Sequence, residues 1–252
     1  SRNDDDIALS IAMDAAGNAI VAGYLNNSGK QKDASWIEYD AIGNPAYSGN
    51  YNGEGDFNES ARAMVQDASG NSYIAGYAYT ETDNRNIFAA KINPSGNMVD
   101  TFLYNGTNDD DDELNAIAND GNGNIYACGY TKTTGEKSNF ILIKFNFQPY
   151  PLADTVWTRT YNYVNQSDKA YSMTADASGI YITGASDANT SDTLDNFDIV
   201  TMKFSSSGAL LWTQRYDDAL NYRDEPVKMI QGQNNRIYVV GRTANIHDDD
   251  RS

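Results

Sequence analysis

The chain reads as short apolar runs broken at regular intervals by Gly, Asn, Asp and Ser. β-Branched and aromatic residues dominate the runs, and no segment keeps a helical period long enough to make a helix. Five runs align with one another: MDAAGNAIVAGY, QDASGNSYIAGY, NDGNGNIYACGY, ADASGIYITGA and QGQNNRIYVVGR. Their strand-end glycines, Gly23, Gly76, Gly129, Gly184 and Gly241, lie 53, 53, 55 and 57 residues apart. A second run recurs between them, in WIEYDAIGNPAYSGNYNG, FAAKINPSGNMVDTFLYNG, LIKFNFQPYPLADTVWTRTYN and TMKFSSSGALLWTQRYD, with closing tyrosines Tyr51, Tyr104, Tyr161 and Tyr216. Each repeat therefore holds two hairpins. Their turns, such as Asp67-Ala68-Ser69-Gly70-Asn71 and Asn93-Pro94-Ser95-Gly96-Asn97, carry the glycine that a left-handed turn residue requires.

Two hairpins in a repeat of this length match one propeller blade. The pattern predicts an all-β fold, a β-propeller of four-stranded antiparallel blades with four complete repeats and a fifth half-repeat. It forms a single domain over residues 1–252, with repeats at about 6–58, 59–111, 112–167, 168–223 and 224–252. A β-solenoid is the rival, but its coils are usually shorter. The first strand of each repeat is expected innermost, because one face carries small residues: Ala8, Ser10 and Ala12, then Ala61 and Ala63, then Ala116 and Ala118. The opposite face carries Ile11, Met64, Ile117, Met173 and Met229, expected between neighbouring sheets. In the fifth repeat the expected strands are Pro226 to Gln231 and Arg236 to Arg242, followed by His247-Asp248-Asp249-Asp250. Two further strands would be needed to finish that blade, so the chain reads as a portion of something longer, with a sheet edge left open.

The D-x-x-G-N-x-Y-x-x-G-Y strings at Asp67 to Tyr77 and Asp120 to Tyr130 resemble the SBBP (seven-bladed β-propeller) repeat family of bacterial secreted and surface proteins. The K-[IF]-N strings at Lys91 to Asn93 and Lys144 to Asn146, and YNG at Tyr51 to Gly53 and Tyr104 to Gly106, add to it. The resemblance covers nearly the whole chain and loosens in the fifth repeat, where Gly232 replaces the Asp and Asn235 the turn Gly. It implies a propeller and an extracellular or cell-surface setting, often beside adhesion or sorting domains. It implies no single activity.

Charge narrows the partners. A net charge of −17 over 252 residues disfavours nucleic acid and anionic lipid, because there is no basic surface to release their counterions. No apolar run is long enough for a membrane helix, and the opening SRNDDD does not read as a signal peptide. Cys128 is the single cysteine and sits within IYACGY, where it reads as a small buried hydrophobe. The single histidine, His247, lies in the terminal acidic stretch, which removes His-based triads and His-rich metal sites.

In a propeller the long connections lie on one face. They run through Asn26 to Asp33, Thr80 to Asn86, Thr131 to Ser138 and Ser186 to Asn196, joined there by the acids Asp4 to Asp6, Asp109 to Glu113 and Asp217-Asp218. Variable loops on a rigid frame are where binding is usually carried. One acid is periodic: Asp6, Glu59, Asp112, Asp168 and Asp224 each precede the turn position by eight residues. They are expected as a ring at the channel mouth. Two readings stay open: a cation site, plausible for calcium because hard oxygen ligands suit it, or carboxylates that accept backbone N–H bonds from an adjoining loop. Asp120-Gly121-Asn122-Gly123-Asn124 starts like a calcium loop but has Ile125 and Thr131 where Gly and Glu are needed, so it reads as a β-turn closed by Asp120. Tyr24, Tyr77 and Tyr130 read as inter-blade packing or as a sugar platform. Trp157, Trp212 and Tyr47 share one slot on the outermost strand and read as partly exposed rim aromatics, while Trp36 opens a third strand and reads as a separate contact. The expectation is a non-catalytic binding or scaffolding module for a cation, glycan or protein partner. The alternatives are a carboxylate-dependent polysaccharide hydrolase or lyase and a purely structural spacer.

Overall fold

The computed structural model describes residues 5–27, 31–80, 84–106, 110–132, 137–147, 154–189, 196–218 and 223–243. Eighteen strands form the described part, with a single 3-10 turn at Gln233–Asn235 as its helical element. The first sheet holds β1 (Ile7–Met13), β2 (Ala19–Asn27), β3 (Gln31–Tyr39) and β4 (Pro45–Tyr51). The second holds β5 (Glu59–Gln66), β6 (Ser72–Tyr79), β7 (Arg85–Ile92) and β8 (Met98–Tyr104). The third holds β9 (Asp112–Asn119), β10 (Ile125–Lys132), β11 (Ser138–Asn146) and β12 (Asp154–Tyr161). The fourth holds β13 (Asp168–Asp176), β14 (Gly179–Asp187), β15 (Phe197–Phe204) and β16 (Leu210–Tyr216), and the fifth β17 (Asp224–Gln231) and β18 (Ile237–Thr243). Every sheet is an antiparallel meander in chain order.

Local chemistry explains the hairpins. In the turn after β5, one Asp67 oxygen accepts the backbone N–H groups of Ser69 and Asn71 at 2.8 and 2.9 Å, and the other accepts the Asn71 side-chain amide at 2.9 Å. Asp14, Asp40 and Asp120 repeat this pattern. The backbone N–H of Asn18 holds the exposed Asp14 carboxyl below the usual range. Asp120 is thus a turn-closing residue.

Three hydrophobic cores lie between the sheets. The first joins Ile20, Ala22 and Trp36 to Met64, Ile74 and Phe88 across the first and second sheets. The second joins Tyr73, Ala75 and Ala89 to Ile117, Ile125 and Ile141. The third joins Tyr126, Cys128 and Leu142 to Met173, Ile180 and Ile182. The inner sheets are apolar on both faces because each has a neighbour on both, and β1, β5, β9, β13 and β17 stand next to one another in succession. Met64, Ile117, Met173 and Met229 are buried between sheets as expected, but Ile11 is 64 % exposed, because no described sheet precedes its own.

Three expectations need correction. The long connections are shorter than their polar composition suggests: Asn27 pairs with Gln31 and Lys132 with Ser138, so the ladders run on through polar residues. What remains of these connections, 28–30, 81–83, 133–136 and 190–195, lies outside the described residues, as do Asp4, Asp109 and His247. In the fifth sheet β17 begins two residues earlier than Pro226, at Asp224, and β18 runs from Ile237 to Thr243. Trp36 is no separate surface contact: it lies within β3, 4 % exposed, and donates its indole N–H to the Gly96 carbonyl of the second sheet at 3.1 Å.

Candidate functional site

The small residues of the first strands do not alternate simply, because each strand carries a β-bulge at the same place. The pairing steps over Leu9, Arg62, Asn115, Tyr171 and Val227, which have no partner on the second strand. A bulge inserts one extra residue and re-aims its side chain. All five line one cavity of about 300 Å³, together with Pro226. This bulged position went unrecognised in the sequence. Its signal is a small–X–small–large pattern, clear in Ala-Leu-Ser-Ile, Ala-Arg-Ala-Met and Ala-Tyr-Ser-Met and loosened to Leu-Asn-Ala-Ile and Pro-Val-Lys-Met, in which X is aliphatic, basic, amide or aromatic.

The bulge also explains the recurring strand-end glycine. A Cβ on Gly23, Gly76, Gly129, Gly184 or Gly241 would come within 1.8–2.4 Å of the carbonyl oxygen of Ile7, Ser60, Glu113, Lys169 or Glu225. The bulged strand presses its backbone onto the second strand there, and only glycine leaves room.

The five periodic acids sit one step further along. Asp6 is exposed, whereas Glu59, Asp112, Asp168 and Asp224 are fully buried. Asp112 accepts the N–H groups of Gly106, in the connection arriving from the preceding sheet, and of Lys132 at 3.1 Å, at the end of the second strand. Asp168 accepts from Tyr163 at 2.8 Å, Asp224 from Asp218 at 3.0 Å, and Asp6 from Asn26 at 3.0 Å. These bonds tie each first strand to its neighbouring loop and strand. Burial pushes the Glu59, Asp112, Asp168 and Asp224 carboxyls up, to about 8 at Glu59, where the charges of Asp33 and Asp56 add to it, and to about 6 at Asp168. The backbone N–H of Gly53 faces the Glu59 carboxyl and opposes this rise. The five are not gathered around one point: among the described residues the carboxylates close enough to share an ion are Asp198, Asp217 and Asp224.

Cationic and aromatic side chains stand beside the cavity. Arg62 pairs with Glu113 at 2.8 Å, and Arg85 pairs with Glu113 at 2.6 Å and Asp111 at 2.9 Å. Arg62 and Arg85 both lie over the Tyr77 ring, Lys169 over Tyr130 and Lys32 over Tyr24. The three glycine-adjacent tyrosines are therefore cation-stacked, and Tyr130 is buried. On the outer strands, Trp157 packs 6.0 Å from Tyr126 and Trp212 6.2 Å from Tyr181, with Tyr47 half-buried beneath Gly96.

No protein-family model matches the chain, and no curated protein matches it. Among solved structures it is similar to a eukaryotic initiation factor at 12 % identity, TM-score 0.40, covering 83 % of this chain and 55 % of that one. It is also similar to two structures of Sqt1 from Chaetomium thermophilum. One shows 10 % identity and TM-score 0.33, covering 90 % of this chain and 75 % of that one. The other shows 9 % identity and TM-score 0.27, covering 95 % and 94 %. All three overlays are loose. The chain stands, on its own strands, as a tandem array of antiparallel β-sheets, four of them four-stranded and the fifth two-stranded among the described residues.

Proposed function

We propose that the chain is an arc of β-propeller blades acting as a non-catalytic binding or scaffolding module, with the cavity between its first strands as the ligand seat. One observation carries this: the frame repeats and the cavity lining does not. Glycine recurs at every second-strand contact, yet the bulge positions hold Leu9, Arg62, Asn115, Tyr171 and Val227: two aliphatic chains, a guanidinium, an amide and a phenol. A purely structural array has no need of a guanidinium, an amide and a phenol beside aliphatic chains around one space. The periodic acids serve in this reading as ties between strand and loop. An extracellular or cell-surface setting belongs to it through the SBBP resemblance.

The test is a screen of oligosaccharides and small metabolites, followed by backbone and side-chain NMR shifts at Asn115 and Tyr171 and by analysis of the recovered ligand. Reversible shifts at both residues with the ligand recovered intact are the expected result. New reducing ends or unsaturated sugars would move the assignment to a carboxylate-dependent hydrolase or lyase, and a silent cavity across the screen to a spacer.

A further inference from the structure

Within that reading the cavity itself selects a ligand class. Leu9, Pro226 and Val227 give it an apolar wall, and Arg62, Asn115 and Tyr171 give it a polar one. Arg62 spends its Nε on Glu113, and among the described residues no hydrogen bond occupies its two terminal NH2 groups. Asn115 donates its amide to the Ala170 carbonyl at 2.9 Å, which orients the side chain and leaves its oxygen as an acceptor. The Tyr171 hydroxyl has no protein partner among the described residues. A guanidinium with two donors, one amide acceptor and one phenol beside an apolar surface match a carboxylate, hydroxyl groups and the C–H face of a sugar ring.

The surrounding charge agrees. Arg62, Arg85, Lys132, Lys169, Arg223 and Arg242 stand here, a third of the 18 Lys and Arg of a chain with net charge −17. Asp111, Glu113 and Glu225 pair with Arg62, Arg85, Lys132, Arg223 and Arg242. The chain's cations are concentrated here, five of the six each beside an acid. The volume of about 300 Å³ is at the small end of ligand pockets, suited to one ring. The acidic remainder of the surface repels a long polyanion.

We infer that this cavity binds a single acidic sugar, a hexuronate unit, with its carboxylate on Arg62 and its hydroxyls on Asn115 and Tyr171. The experiment titrates the intact chain with D-galacturonate, its methyl ester, D-galactose and polygalacturonate, read by calorimetry and by NMR shifts at Asn115 and Tyr171. Galacturonate should saturate, the ester and galactose should bind at least tenfold more weakly, and salt should weaken binding. The polymer should bind no better than the monosaccharide. Arg62→Gln should lose tenfold or more, with an unchanged spectrum elsewhere reporting an intact fold, while Arg159→Gln, on the outer strand, should bind as the parent does. Equal binding of galactose, or of the Arg62→Gln protein, overturns the inference, as does tighter binding of the polymer. If galacturonate fails to saturate while another ligand shifts Asn115 and Tyr171, the ligand class falls and the cavity's role survives. If nothing shifts them, both fall.

Discussion

Gly76 and Gly121 are both glycines of the repeat, but for different physical reasons. Gly76 lies within a strand, and a Cβ there would sit 1.9 Å from the Ser60 carbonyl oxygen. Gly121 sits in a turn at φ +75° with open space around it. Gly76→Ala must push two strands apart and should cost about 3 kcal/mol. Gly121→Ala only places a side chain in the left-handed region and should cost about 1 kcal/mol. Urea unfolding of the two proteins separates contact from backbone strain. Glu59 makes a second prediction at this scale. Its folded carboxyl titrates near 8, above the ordinary 4.5, so the folded state holds the proton more tightly than the unfolded state. The stability linked to this proton is complete below about pH 4.5 and is lost as pH rises through about 8. Glu59→Gln should flatten that slope and be more stable than the parent by about 1–3 kcal/mol at alkaline pH. Melting temperatures of both proteins across the range are the check, and parallel curves would refute the burial argument.

Among elements, the decisive device is the junction between successive sheets. It is held by apolar packing and by a few hydrogen bonds that repeat. Ser10 accepts the Met64 backbone N–H at 3.1 Å, and Ser172 accepts that of Met229 at the same distance. Trp36 reaches from β3 to the Gly96 carbonyl in the next sheet, and Arg159 makes the corresponding reach to Gly208 at 3.1 Å. In both places a turn glycine lies flat against an aromatic ring, Tyr47 under Gly96 and Trp157 beside Gly208. Trp36→Phe keeps most of the packing and removes the indole N–H, leaving the Gly96 carbonyl without that donor. The expected loss is about 1 kcal/mol. It should appear in hydrogen exchange as faster opening of β3 and of the turn between β7 and β8, with β13–β16 unaffected.

At the scale of the molecule the five sheets follow one another around the cavity that their first strands share, each packing on the next, so position in the series sets the value of a residue. Met173 and Ile11 occupy the same repeat position. Met173 is 8 % exposed in the core between the third and fourth sheets, and Ile11 is 64 % exposed on the first. Met173→Ala should cost about 2–4 kcal/mol, and Ile11→Ala less than about 1 kcal/mol. Denaturant midpoints of the two variants measure the difference. Equal losses would mean that the face of the first sheet is covered in solution, for an exposed side chain cannot lose packing that it does not have.

The hairpins and their repetition were legible in the chain because their causes are local: an Asp that closes its own turn, a glycine at positive φ, and an alternation that needs only neighbouring residues. The inter-sheet role of Met64, Ile117, Met173 and Met229 followed from their recurrence. The periodic acids could be found but not interpreted, since a buried carboxylate bound to a loop N–H and an exposed one look alike in a string of letters. The bulge was invisible for a deeper reason. It exists only in the register between two strands, and it turns Arg62, Asn115 and Tyr171, which ordinary alternation would assign to a packed face, toward a shared space. So the repeat arises from forces acting over a few residues, while the cavity and the cations around it arise from contacts between segments more than fifty residues apart, and only packed sheets bring those together.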